Sequence, residues 1–138
     1  MAHPSLRFLA LTPLLLLAVA PTEQASAMCS FRNLSGEWRS NDGGRYRVTE
    51  NGNRVTWVAL SGDSGRSWRH RFSGTRTGNV ITGYWADFGA TGPNGRGTLT
   101  LRVRDPMFFY RTANTGSGFG GVRWWRGCPD TVGKPVDE

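Results

Sequence analysis

The sequence predicts an all-β fold: about eight short antiparallel strands in an up-and-down meander that closes into a small barrel. Three observations carry this. Apolar and polar residues alternate with period two in segment after segment, no stretch has the 3.6-residue period of an amphipathic helix, and turn residues punctuate the segments, among them 19 glycines. Consecutive strands with one apolar face each must bury that face, and eight of them can close on themselves and leave no free edge.

Residues 1–27 stand outside that fold. Arg7 gives a positive start, Phe8 to Ala20 is an apolar run too short to span a bilayer, and Ala25-Ser26-Ala27 offers a small-x-small cleavage site. They are expected to be a signal peptide, with the mature chain starting at Met28 and the protein secreted or periplasmic. A barrel domain over 28–128 and a loose polar tail over 129–138 complete the organisation. The chain carries a net charge of +7, and the leader holds one arginine and one glutamate, so its removal leaves that excess intact. A basic exported protein suits anionic surfaces, although charge alone also serves solubility. Cys29 and Cys128 lie at the two ends of the mature chain, and in an oxidising compartment they are expected to pair; two free thiols are the alternative. With His70 as the one mature histidine, no structural zinc site of the usual kind is expected, and no cofactor.

The elements follow in order. Leu34–Ser40 reads as the first strand. Arg45 to Thr49 alternates, turns at Asn51-Gly52-Asn53, and returns through Val55, Trp57 and Ala59, an Asn-Gly hairpin signal. Trp68 to Phe72 alternates again, and Thr77-Gly78-Asn79 turns it into Val80–Asp87. Residues 89–97 read as a loop, after which Leu99, Leu101 and Val103 alternate with Thr100, Arg102 and Arg104 until Asp105-Pro106 breaks the strand. Met107–Arg111 and Val122–Arg126 supply the last two strands. The glycine-rich run Thr115–Gly121 between them reads as a mobile loop at the barrel mouth with Phe119 as its apolar tip.

Asn33-Leu34-Ser35-Gly36-Glu37-Trp38 resembles the Gly-x-Trp opening of the calycin barrels, the lipocalins and avidins, and the avidin likeness continues through Gly43 to Thr49. The resemblance implies that Gly36 and Trp38 are structural, that Trp38 plugs one end of the barrel, and that Arg123 or Arg126 lies across it. It does not carry biotin binding, because the positions after the tryptophan hold Arg39, Ser40 and Gly44. The mature chain also resembles small uncharacterised exported bacterial proteins that share the Ser-Asn-Asp-Gly-Gly and Gly-Phe-Gly-Gly segments found here at 40–44 and 118–121.

Several motifs look chemical and read better as structure. Ser61-Gly62-Asp63-Ser64-Gly65-Arg66-Ser67-Trp68 fits the Asp-box pattern of sialidase propellers, a hairpin device in which the aspartate accepts backbone N–H bonds. Gly62 to Gly65 copies a serine-protease nucleophile segment, but no histidine lies where that chemistry needs one. Gly116 to Gly121 satisfies a dinucleotide-loop pattern with no strand–helix crossover behind it. General acid–base work needs two groups held within reach, and no such pair is visible, so the reading is a non-enzyme.

Three functions remain. In the leading one, a small molecule or glycan binds at the open end, with Trp57, His70, Trp85, Asp87, Phe119 and Trp125 as candidate contacts. In its rival, the protein is an interaction module, such as an inhibitor of an exported hydrolase. The third is binding of an anionic polymer or surface through Arg45, Arg47, Arg69, Arg71, Arg102 and Arg104, whose side chains should decorate the outside. Nucleic acid is the poorest partner, because the interleaved aromatics point inward. The state of the interior discriminates: a barrel filled by Trp38, Trp57, Trp68 and Trp85 leaves no room for a ligand and favours the module.

Overall fold

The computed structural model describes residues 31–89 and 94–128. The expected leader, Cys29 and the 129–138 tail lie outside the described residues. Cys128, just after the last strand, is not a free thiol.

The strands are β1 (Gly36–Ser40), β2 (Arg45–Asn51), β3 (Arg54–Leu60), β4 (Arg69–Thr77), β5 (Val80–Asp87), β6 (Arg96–Asp105), β7 (Phe108–Asn114) and β8 (Arg123–Trp125). Each pairs antiparallel with its sequence neighbours, and β1 pairs with β8 to close the barrel. The period-two pattern fixes which residues face in. Tyr46 and Val48 on β2, Val55, Trp57 and Ala59 on β3, and His70 and Phe72 on β4 are buried, while the residues between them are exposed or half-buried.

The hairpin turns depart from the sequence reading in one respect. Asn51 pairs with Arg54 and Thr77 with Val80, so the two-residue loops are Gly52–Asn53 and Gly78–Asn79. Positive φ falls on the glycine at the first loop position (58° and 60°) and on neither asparagine, the pattern of a type II′ rather than a type I′ turn. Strand β4 also runs on to Thr77, past Gly74, which sits opposite Gly83 on β5. A Cβ at either glycine would meet the Phe72 ring, at 2.6 and 2.7 Å, so the two leave a flat patch of sheet on which that ring lies.

Closure at the β1–β8 seam rests on two residue pairs, Arg39 with Trp125 and Ser40 with Trp124. Side chains complete it at both ends. Asn41 accepts the N–H groups of Val122 and Arg123 through Oδ1 at 2.7 and 2.9 Å and donates to the Gly120 carbonyl. At the other end the Arg126 guanidinium donates to the carbonyls of Pro106, Ser35 and Asn33.

Candidate functional site

The loops after β1, β3, β5 and β7 gather at one end of the barrel, the mouth. The two glycine turns, Pro106–Met107 and residues 31–35 close the other end. The interior between them is filled. Trp38, Tyr46, Trp57, Phe72, Trp85, Phe109, Phe119 and Trp124 are all buried and stack or meet edge-on, as in Trp57 on Phe72 at 4.2 Å and Phe109 on Trp124 at 5.0 Å. Removing each such ring from water contributes about 1.5–3 kcal/mol.

Four of the six candidate ligand contacts are therefore buried: Trp57, Trp85 and Phe119 belong to the hydrophobic core, and His70 is a buried polar residue among them. Phe119 is the clearest correction: it is not an exposed apolar tip but folds inward at 8% exposure, its ring 4.8 Å from His70 and 5.0 Å from Trp85. Trp68 lies over the other side of His70, stacked at 4.9 Å, and a Cβ on Gly44 would come within 2.3 Å of it. Trp124 faces in and Trp125 out, as neighbours on a strand must; Trp125 is half-buried beside Phe108 and Arg39 and away from the mouth interior.

Asp87 stands opposite His70 in register, yet its carboxylate accepts the Gly95 N–H at 2.7 Å and serves the β5–β6 turn. Burial raises its pKa, the Gly95 bond opposing. The imidazole of His70 is driven down to about 3 by burial and is neutral at ordinary pH. Tyr46 bonds through its hydroxyl to Asp42; burial first, and then the Asp42 charge, push its pKa up. Around the Tyr46 ring lie Trp57, His70 and Trp124, with centroids 5.4–5.7 Å away. The Trp57 Nε1 and His70 Nε2 atoms are buried with no hydrogen-bond partner, whereas the Trp124 side chain interacts with the Tyr46 hydroxyl. An unpartnered buried polar atom costs about 1–3 kcal/mol.

The Asp-box segment behaves as a turn. Asp63 accepts from the Ser61 and Ser67 hydroxyls and from the N–H groups of Arg66 and Ser67, with Ser64 and Gly65 at positive φ. The two serine hydroxyls hold its carboxyl well below the usual carboxylate range.

On the outside, sheet register assembles what the sequence lists only as pairs. Arg39, Arg45, Leu60 and Arg69 form one row across β1–β4. Glu37, Arg47, Val58, Arg71, Ala86 and Arg96 form the next, across β1–β6. Val58 is 49% exposed between Arg47 and Arg71, and Leu60 is exposed between Arg45 and Arg69. Arg47 is paired with Glu37, Arg69 donates to the Gly65 carbonyl, and Arg71 lies over the Phe88 ring. Arg102 and Arg104 do not join them. They lie toward the closed end of β6, where Arg104 is paired with Asp105 and covers Phe108. Arg123 is exposed on β8, and it is Arg126 that lies over Trp38.

A groove of about 340 Å³ at the closed end runs between Phe31, Asn33, Arg76, Asn79, Val103 and Pro106. Among the described residues no group of three or more His, Cys, Asp or Glu side chains could hold a metal ion, and no helix is long and apolar enough to cross a membrane. Comparison with protein families, curated proteins and solved structures returns no match.

Proposed function

We propose that the protein is a non-catalytic, exported interaction module of calycin-like architecture, and that it docks an acidic protein surface on the outer face of β1–β6. The observation that carries this reading is the pair of transverse arginine rows with Val58 and Leu60 between them. Within the two rows, as far as the described residues go, Arg39, Arg45, Arg47, Arg69, Arg71 and Arg96 stand against Glu37 as the one acid, a potential that steers an acidic partner, while the exposed apolar residues supply area to exclude water. An exported hydrolase with an acidic cleft is one partner of this chemistry. The filled interior supports the reading, because a barrel packed with its own rings has its free surface outside. The non-catalytic part rests on His70 and Asp87. One is buried and neutral, the other is committed to a turn, and neither is bonded to the other.

The test is a photo-cross-linker at Val58 in the exporting host, with one at Thr112 as control. A discrete adduct at 58 alone, lost on charge reversal of Arg45 and Arg71 with the fold intact, supports the module. Retention on a polyanion column that falls steeply with salt and ignores Val58→Asp makes it a polymer binder and overturns the protein-docking reading. Absence of both adduct and retention overturns the arginine face altogether.

A further inference from the structure

We infer that the mouth of the barrel is a receptor pocket for a small aromatic carboxylate, and that Phe119 is the occupant the chain itself supplies. The pocket exists only when Phe119 leaves it, and it is independent of the outer arginine face.

The chemistry of the pocket is written in its occupant. The Phe119 ring sits against His70, Trp85 and, at 6.2 Å, Trp124, an apolar cage shaped for one flat ring. The carbonyl of the same residue accepts from Arg111 Nη1 at 3.1 Å. Arg111 is half-buried and faces the interior, in register with buried Leu101, and the ion pairs among the described residues do not include it. The site thus holds a phenyl group with an oxygen acceptor a few bonds away, opposite a cation whose side-chain bond among the described residues goes to a neutral carbonyl. A carboxylate in that place makes a charge-assisted bond that the peptide carbonyl cannot match. Beside the ring lies His70, 4% exposed, its Nε2 unpartnered.

The loop is built so that its plug can leave. Thr115 is fastened to Thr98, and Asn41 holds Gly120, Val122 and Arg123. Between these clamps Gly116 and Gly118 have φ of 82° and 89°. At Gly118 nothing lies within 4 Å of where a Cβ would be, so the chain borders open space on that side of Phe119. A ligand that needs this rare open state binds with its intrinsic affinity reduced by the open fraction.

The experiment uses the full exported chain and 3-phenylpropionate as probe, with 3-phenylpropanol as its uncharged counterpart. Wild-type protein is expected to show a shift of the His70 imidazole resonances on titration with the acid, together with movement of the Phe119 ring signals to solvent-exposed positions. Phe119→Gly is expected to bind the acid at least tenfold more tightly than wild type and to prefer it tenfold over the alcohol, and Arg111→Met in that background should erase the preference. Equal binding of acid and alcohol by folded Phe119→Gly would mean a merely apolar cavity and overturn the inference. So would wild-type His70 and Phe119 signals that stay put up to the solubility limit of the acid, and this measurement stands even if Phe119→Gly does not fold.

Discussion

The Arg126 guanidinium lies 4.5 Å from the centre of a Trp38 ring on one side and 3.6 Å from that of Phe31 on another. Its N–H groups reach carbonyls of Asn33, Ser35 and Pro106, so one side chain ties the segment before β1 to the β6–β7 turn. Burial lowers its pKa to about 10, with Glu50 opposing, so it remains a cation at neutral pH. Gly36 makes room for it: its φ is 138°, and a Cβ there would come within 3.2 Å of Nη1. Arg126→Met is expected to cost about 3 kcal/mol and Arg126→Lys about 2, since an ammonium cannot serve three carbonyls and two rings from one plane. Urea unfolding with an unchanged m-value checks both.

Gly44 tests the packing at the mouth. Gly44→Ala has to push Trp68 off His70 and is expected to cost about 2 kcal/mol and to change the near-ultraviolet circular dichroism. Gly43→Ala has open space around it and a φ of 79°, so it should cost about 1 kcal/mol and leave the aromatic spectrum unchanged.

Asp63 tests the Asp-box turn. Asp63→Ala removes the acceptor for the Arg66 and Ser67 N–H groups, so amide exchange is expected to speed up over 64–67 while β3 and β4 keep their protection. Faster exchange along both strands would mean that the turn sets the register of the hairpin.

His70 makes stability depend on pH. Unfolded, it titrates near 6.5; folded, at about 3. The unfolded chain therefore binds the extra proton throughout that window, and stability falls as the pH drops from 6.5 towards 3, by about 1.4 kcal/mol per unit once below the unfolded value. Asp87, with its raised pKa, works in the opposite sense and gains stability on acidification. Thermal unfolding between pH 7 and 5 should show the loss in wild type, no such loss in His70→Phe, and a steeper loss in Asp87→Asn if Asp87 already titrates there.

The strands were legible because alternation is a local property: Arg45 to Val48 or Leu99 to Val103 reads the same in the sequence as in the barrel. Val80–Asp87 appears with both ends in place, bounded by a glycine turn and a loop. Phe119 was not legible. A glycine-rich run has no period, and an isolated phenylalanine within it points nowhere until the cage of His70 and Trp85 exists. The arginine rows failed for a related reason. Each Arg-x-Arg pair is visible along its strand, but whether pairs on different strands meet depends on register, which brings 45, 47, 69 and 71 together and leaves 102 and 104 apart. Gly74 facing Gly83 is a signal that only pairing turns into meaning.

The narrow seam between β1 and β8 bears on the order of folding. Every other ladder among the described residues joins strands adjacent in the chain, whereas this one reaches from Arg39 to Trp125, the most distant strand pair described. Contacts of such separation form late, after the meander has collapsed. The clasp made by Asn41 and Arg126 is therefore expected to form after the transition state, so weakening it should hasten unfolding and leave the rate of folding nearly constant. On that expectation the lifetime of the closed barrel follows two side chains at its seam, and the speed with which it forms follows its hairpins.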